Sequence, residues 1–166
     1  MKIQNLIFFL SFLFLFIINT VEGATRTAST SGNWNSTTTW GGAAVPTALD
    51  DVVINNNRNV TVNVSALCAS ITINGGSNKS YITISGNNTL SVTNAITINA
   101  GTGNNDDKYI VVGAGTLTAA SISMTDTGND NRDSYISIST GTATISGNIT
   151  MAGTVNRNQI VFTGAG

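Results

Sequence analysis

From Asp51 onward, aliphatic residues alternate with Thr, Ser or Asn in short bursts, the period-two pattern of a pleated strand with one buried face. Tyr81-Ile82-Thr83-Ile84, Tyr109-Ile110-Val111-Val112 and Tyr135-Ile136-Ser137-Ile138 superpose almost residue for residue. Gln159-Ile160-Val161-Phe162 opens a further copy and Asp51-Val52-Val53-Ile54 an earlier one. The openings at 51, 81, 109, 135 and 159 are separated by 30, 28, 26 and 24 residues. Periods of this size mark stacked solenoid units, none of which can bury its apolar face alone.

Each unit carries two more alternating runs. After Tyr81 come Leu90-Ser91-Val92 and Ile96-Thr97-Ile98. After Tyr109 come Leu117-Thr118-Ala119 and Ile122-Ser123-Met124, and after Tyr135 come Ala143-Thr144-Ile145 and Ile149-Thr150-Met151. In the first unit Val60-Thr61-Val62 and Ile71-Thr72-Ile73 fill the same places. The match recurs at every third strand, which separates this pattern from an antiparallel sandwich, where each strand follows the last by a hairpin. The expected fold is therefore all-β, a right-handed parallel β-helix with three short strands per coil and about four coils. Stacking would align Thr72, Thr97, Ser123 and Thr150 in one outward column, and Thr61, Ser91, Thr118 and Thr144 in another.

Three segments are expected. Met1-Lys2, the apolar run Leu6 to Ile18 and the small residues Val21 and Gly23 read as a secretory signal over residues 1–23, too short to span a bilayer comfortably. Residues 24–50 lack clean alternation and hold Trp34, Trp40 and Pro46. They are expected to cap the first coil, since an open coil end offers unpaired backbone and apolar side chains. Coils fill 51–166 and stop at Thr163-Gly164-Ala165-Gly166, a turn that elsewhere precedes a second strand, so the chain is expected to end in mid-coil.

Charge narrows the partners. Beyond the leader, six basic residues face seven aspartates, leaving no basic stripe for nucleic acid or an anionic membrane. No membrane span is expected once the signal is removed. A neutral, hydroxylated surface suits polysaccharide or cell-surface surroundings. Cys68 stands alone between Leu67 and Ala69, in the manner of a small buried apolar residue.

The order Ser31-Gly32-Asn33-Trp34, Thr39-Trp40-Gly41-Gly42, Val45-Pro46, Asp50-Asp51-Val52-Val53-Ile54, Asn59-Val60-Thr61-Val62 and Ala69-Ser70-Ile71-Thr72-Ile73 resembles the N-terminal module of large secreted β-helix proteins of Bacteroidetes type. It is also similar to the glycine-rich extracellular domain named for its eight glycines. The resemblance implies export and service as an adhesin or surface scaffold.

Chemistry is sparse. There is no His, and no Glu beyond Glu22. Imidazole-based nucleophile systems and ordinary zinc sites are thereby excluded. Asp106 and Asp107, with Lys108, occupy the same point of their coil as Asp126, Asp130 and Asp133, with Arg132, in the next. Carboxylates converging there would be hard oxygen ligands for calcium, the one cofactor the chain suggests, against the plainer reading of turn formers at a solvated edge. Tyr81, Tyr109 and Tyr135 point outward and should stack; they are candidate carbohydrate contacts or purely structural. The expected function is a secreted, non-catalytic scaffold or adhesin segment. The rival is the N-terminal part of a polysaccharide lyase or glycoside hydrolase whose groove lies in later coils.

Overall fold

A computed structural model describes residues 22–126, 132–153 and 157–164. The signal segment before residue 22 and Asp130 lie outside the described residues. Strands β1 (Thr25–Ala28), β2 (Gly32–Asn33), β3 (Asp51–Ile54), β4 (Asn59–Val62), β5 (Ala66–Cys68), β6 (Ser70–Ile73) and β7 (Ser80–Ile84) follow one another. They continue as β8 (Thr89–Ile98), β9 (Lys108–Val112), β10 (Thr116–Thr125), β11 (Ser134–Ile138), β12 (Thr142–Ile145), β13 (Ile149–Ala152) and β14 (Asn158–Phe162). Every pairing between them is parallel, and the chain coils into a β-solenoid of about five turns.

One face stacks β2, β4, β7, β9, β11 and β14. A second stacks β5, the first half of β8, the first half of β10 and β12; the third stacks β1, β3, β6, the second halves of β8 and β10, and β13. Inward residues form unbroken files. Val60, Ile82, Ile110, Ile136 and Ile160 align on the first face. Leu90, Leu117 and Ala143 align on the second, and Val52, Ile71, Ile96, Ile122 and Ile149 on the third. Parallel in-register pairing places like residues over like, so the files close into one aliphatic core with Ile54, Ile71, Ile82, Ile96 and Ile110 at 0 % exposure.

Three details differ from expectation. Asp51–Ile54 does not open the first unit: it pairs with Ser70–Ile73 on the third face, and Asn59–Val62 takes the opening position against β7. Alternation is identical on all three faces, so it cannot say which face a strand joins. Here Ala69 alone separates β5 from β6, which shortens that coil. For the same reason Thr61 lies in file with Thr83, whereas Ser91, Thr118 and Thr144 align with one another beneath Leu67. Finally, β8 and β10 run ten residues each around the corner between the second and third faces. Thr93-Asn94 of β8 and Ala120 of β10 turn that corner with a register shift and no Gly or Pro to break the strand.

Residues 24–50 contribute β1 and β2 to the stack, and their remainder folds over it. Trp34 and Trp40 are buried at 1 % and 3 % exposure, packed edge to face at 5.1 Å, and Trp40 Nε1 donates to the Trp34 carbonyl at 2.7 Å. Both indoles belong to the same apolar cluster as the aliphatic files. Asp50 ties this segment down. Its carboxylate accepts from the Ala24 and Thr47 amides and the Thr47 hydroxyl, and faces Arg26 at 3.4 Å. Burial opposes its ionisation, but those donors outweigh it and bring the carboxyl down to about 2.

Around β12, β13 and β14 the inner face opens. Ile122, Ile136, Ile138, Ile145 and Phe162 border an apolar hollow of about 350 Å³ there, and Phe162 is 76 % exposed.

Candidate functional site: the tyrosine face

Outward positions of the first face carry two files side by side. One is Asn59, Tyr81, Tyr109, Tyr135 and Gln159; the other is Thr61, Thr83, Val111, Ser137 and Val161. Because the rungs are in register, identical residues adopt the same orientation one coil apart, and coil spacing is close to aromatic stacking distance. Tyr81 and Tyr109 stack at 4.7 Å with an interplanar angle of 8°, and Tyr109 and Tyr135 at 4.6 Å with 7°. The stacking decides what the ladder can offer. Both faces of the Tyr109 ring are covered by its neighbours, so a sugar ring cannot lie flat upon it; ring edges and phenol hydroxyls remain.

The ladder is flanked by paired charges. Lys79 Nζ meets Asp107 at 2.8 Å, and Arg157 Nε meets Asp133 at 2.7 Å. Asp107 Oδ1 also accepts the Asp133 amide at 3.2 Å, which joins the two pairs across one coil step. The hydrogen bond and charge of Asp107 raise the Lys79 ammonium above its ordinary range. Partial burial, then the neighbouring Tyr109, Asp107 and Asp133, push the Tyr135 hydroxyl up to about 12; burial and Tyr81 raise that of Tyr109. The Tyr109 and Tyr135 phenols therefore stay protonated donors at neutral pH. Beyond Tyr135, a surface hollow of about 320 Å³ is bordered by Asp107, Asp133, Tyr135, Ser137, Gln159 and Thr163.

The other acidic candidates are spread out. Asp106 is fully buried and turns back into its own loop, where Oδ2 accepts from the Thr102 amide at 2.7 Å and from the Gly103 amide. Asp126 accepts the Arg157 amide at 3.4 Å. Asp107 and Asp133 are held by the cations already named. Among the described residues no three Asp, Glu, His or Cys side chains gather as a cation site.

Cys68 is fully buried, and desolvation first, with the Asp51 and Asp50 charges adding to it, pushes its thiol up to about 12. The sequence neighbours of Lys108, Asp106 and Asp107, predict a solvated edge for it. It is instead fully buried beneath the loop stack, as its parity with Ile110 and Val112 requires.

No protein-family model, curated protein or solved structure matches the chain. The class the chain belongs to is accordingly the one its fold defines, a parallel β-solenoid. Among the described residues no helix is long and apolar enough to cross a membrane.

Proposed function

We propose that this chain is an extracellular or cell-surface scaffold, a non-catalytic adhesin segment that meets polysaccharide or other cell-surface components along its tyrosine face. The observation that carries the reading is the ladder itself: three phenol edges held at one coil spacing beside a file of Thr, Val and Ser. A row of neutral hydroxyl donors at fixed intervals suits a polymer that repeats hydroxyls and is uncharged. Each flanking acid is matched by a nearby cation or amide, which keeps the face close to neutral. The leader-like start of the chain supports export, and the engagement of Asp107 by Lys79 and of Asp133 by Arg157 supports a binding role for this face over a hydrolytic one.

Replacing Tyr81, Tyr109 and Tyr135 together by Phe tests this reading, because Phe keeps the stack and removes only the hydroxyls. Co-sedimentation of the chain beginning at Ala24 with insoluble cellulose, chitin and xylan should show retention of the parent and at least a several-fold loss for the triple Phe variant. No reducing sugar should appear. Equal retention of both proteins, or release of sugar, would contradict it.

A further inference from the structure

Three successive rungs on the first face, β7, β9 and β11, open with an inward, buried polar residue at the corner of the coil. In β7 and β11 it is Ser80 and Ser134, whose hydroxyls donate to the Asn55 and Thr125 carbonyls. In β9 it is Lys108, the one long cation in that file. Its Nζ reaches back under the preceding loops and donates to Gly76 O at 3.2 Å, to Asn78 O, and to Asn56 Oδ1 at 3.3 Å. The amine thus lies against a side-chain carboxamide 52 residues away in the chain.

The Asn56 carboxamide is held from two further sides. Asn56 Oδ1 also accepts the Asn78 amide at 3.1 Å, so an N–H donor already points at the oxygen on which negative charge would develop. Gly76, at φ +129°, lets the backbone press on the side chain: a Cβ there would lie 2.5 Å from Asn56 Cγ. Two carbonyls orient the amine and a glycine fixes the carboxamide, the positional pre-organisation such a step needs. Asp106 shares the inward parity of Lys108 and is likewise fully buried. Its Oδ1 has no hydrogen-bond partner, and its other oxygen abuts the same loop, since a Cβ on Gly103 would lie 3.4 Å from both Asp106 Oδ2 and Ser77 Cβ. A buried carboxylate atom with nothing to accept calls for an explanation.

We propose that Lys108 and Asn56 join in an intramolecular isopeptide bond, with Asp106 carrying the proton. Lys108 Nζ in its neutral form attacks Asn56 Cγ, and the oxyanion is held by the Asn78 amide. Asp106 makes no ion pair with Lys108, its Oδ2 being held by the Thr102 and Gly103 amides, so the nitrogen that has attacked loses its proton to Asp106 through one bridging water. Asp106 returns a proton to Asn56 Nδ2 by the same water, the Cγ–Nδ2 bond breaks, and ammonia leaves; a Cγ–Nζ amide remains. No oxidant or co-reactant is needed. Desolvation, against the pull of Asp106 and Asp107, lowers the Lys108 ammonium below its ordinary range and favours the nucleophilic form. The product would staple the coil of β9 to the turn after β3.

Intact-mass spectrometry of the chain beginning at Ala24, followed by tryptic mapping, tests the proposal. The expected mass is that of the sequence less one ammonia, with no cleavage after Lys108 and a branched peptide joining the Asn56 and Lys108 segments. Lys108→Arg, Asn56→Ala and Asp106→Asn should each restore the unbranched mass, the last with an unchanged far-UV spectrum. A parent protein of unaltered mass after incubation at alkaline pH would overturn the proposal. Loss of ammonia without a branched peptide, as from a succinimide at Asn74-Gly75, would overturn it equally. A branched peptide persisting in Asp106→Asn would remove Asp106 from the scheme.

Discussion

Ile110 occupies the middle of the first-face file, fully buried, with Ile82 on the rung before and Ile136 on the rung after. Ile110→Ala removes three carbons, worth about 0.8 kcal/mol each in transfer, or about 2.4 kcal/mol. Rungs on both sides are fixed by their own hydrogen bonds and cannot close over the gap. A residual void of roughly 60 Å³ at about 24 cal/mol per Å³ adds about 1.5 kcal/mol, for a total near 4 kcal/mol. Ile160→Ala deletes the same carbons from the same file, but Ile160 is only partly buried and borders the open hollow. Its void is continuous with solvent and the cost should be about 1 kcal/mol. Urea unfolding followed by far-UV circular dichroism, with slopes compared to ensure a common unfolding reaction, measures both. Equal losses, or a larger loss at Ile160, would refute the nearest-neighbour reasoning.

Tyr109→Ala should cost about 1–3 kcal/mol because it breaks two stacks, and Tyr81→Ala about half as much, as read by the same denaturation. Tyr135 is raised from 10.0 to about 12 in the folded chain, so its contribution is complete below pH 10 and is lost as pH rises through 12. Thermal midpoints should fall in that window, and less steeply in Tyr135→Phe. Asp50 is lowered from 3.8 to about 2, so its contribution is present above pH 3.8 and lost as pH falls through 2. Asp50→Asn should flatten the acid limb of the melting profile. Cys68 should resist iodoacetamide in the folded state and react on unfolding.

The coils from Tyr81 onward were legible because Ile and Tyr recur at fixed offsets from one another, and those offsets are what parallel register preserves. The first coil was not, because Asp51–Ile54 and Asn59–Val62 carry the same alternation and only three-dimensional closure assigns them to different faces. Stacking of Tyr81, Tyr109 and Tyr135 followed from parity alone. The covering of their ring faces did not, since it depends on the rotamer and the coil rise. Burial of Asp106 and Lys108 was encoded in the same parity as Ile110, yet their charge and the adjacent Gly-Asn turn argued for solvent. What reverses that inference is a set of acceptors from Gly76 and Asn78, one coil back, and Asn56, two coils back, adjacent to Lys108 only in the stack.

The parallel stacking itself is measurable with spin labels on the outward third-face file, in which Val53, Thr72, Thr97, Ser123 and Thr150 follow one another in register. Cysteines placed at 150 and in turn at 97, 72 and 53 would be labelled while buried Cys68 stays unmodified. Backbone separations of about 10, 14 and 19 Å are expected, growing by one rise of about 4.8 Å per coil. A series that does not lengthen stepwise with coil number would contradict the solenoid and every surface file drawn from it.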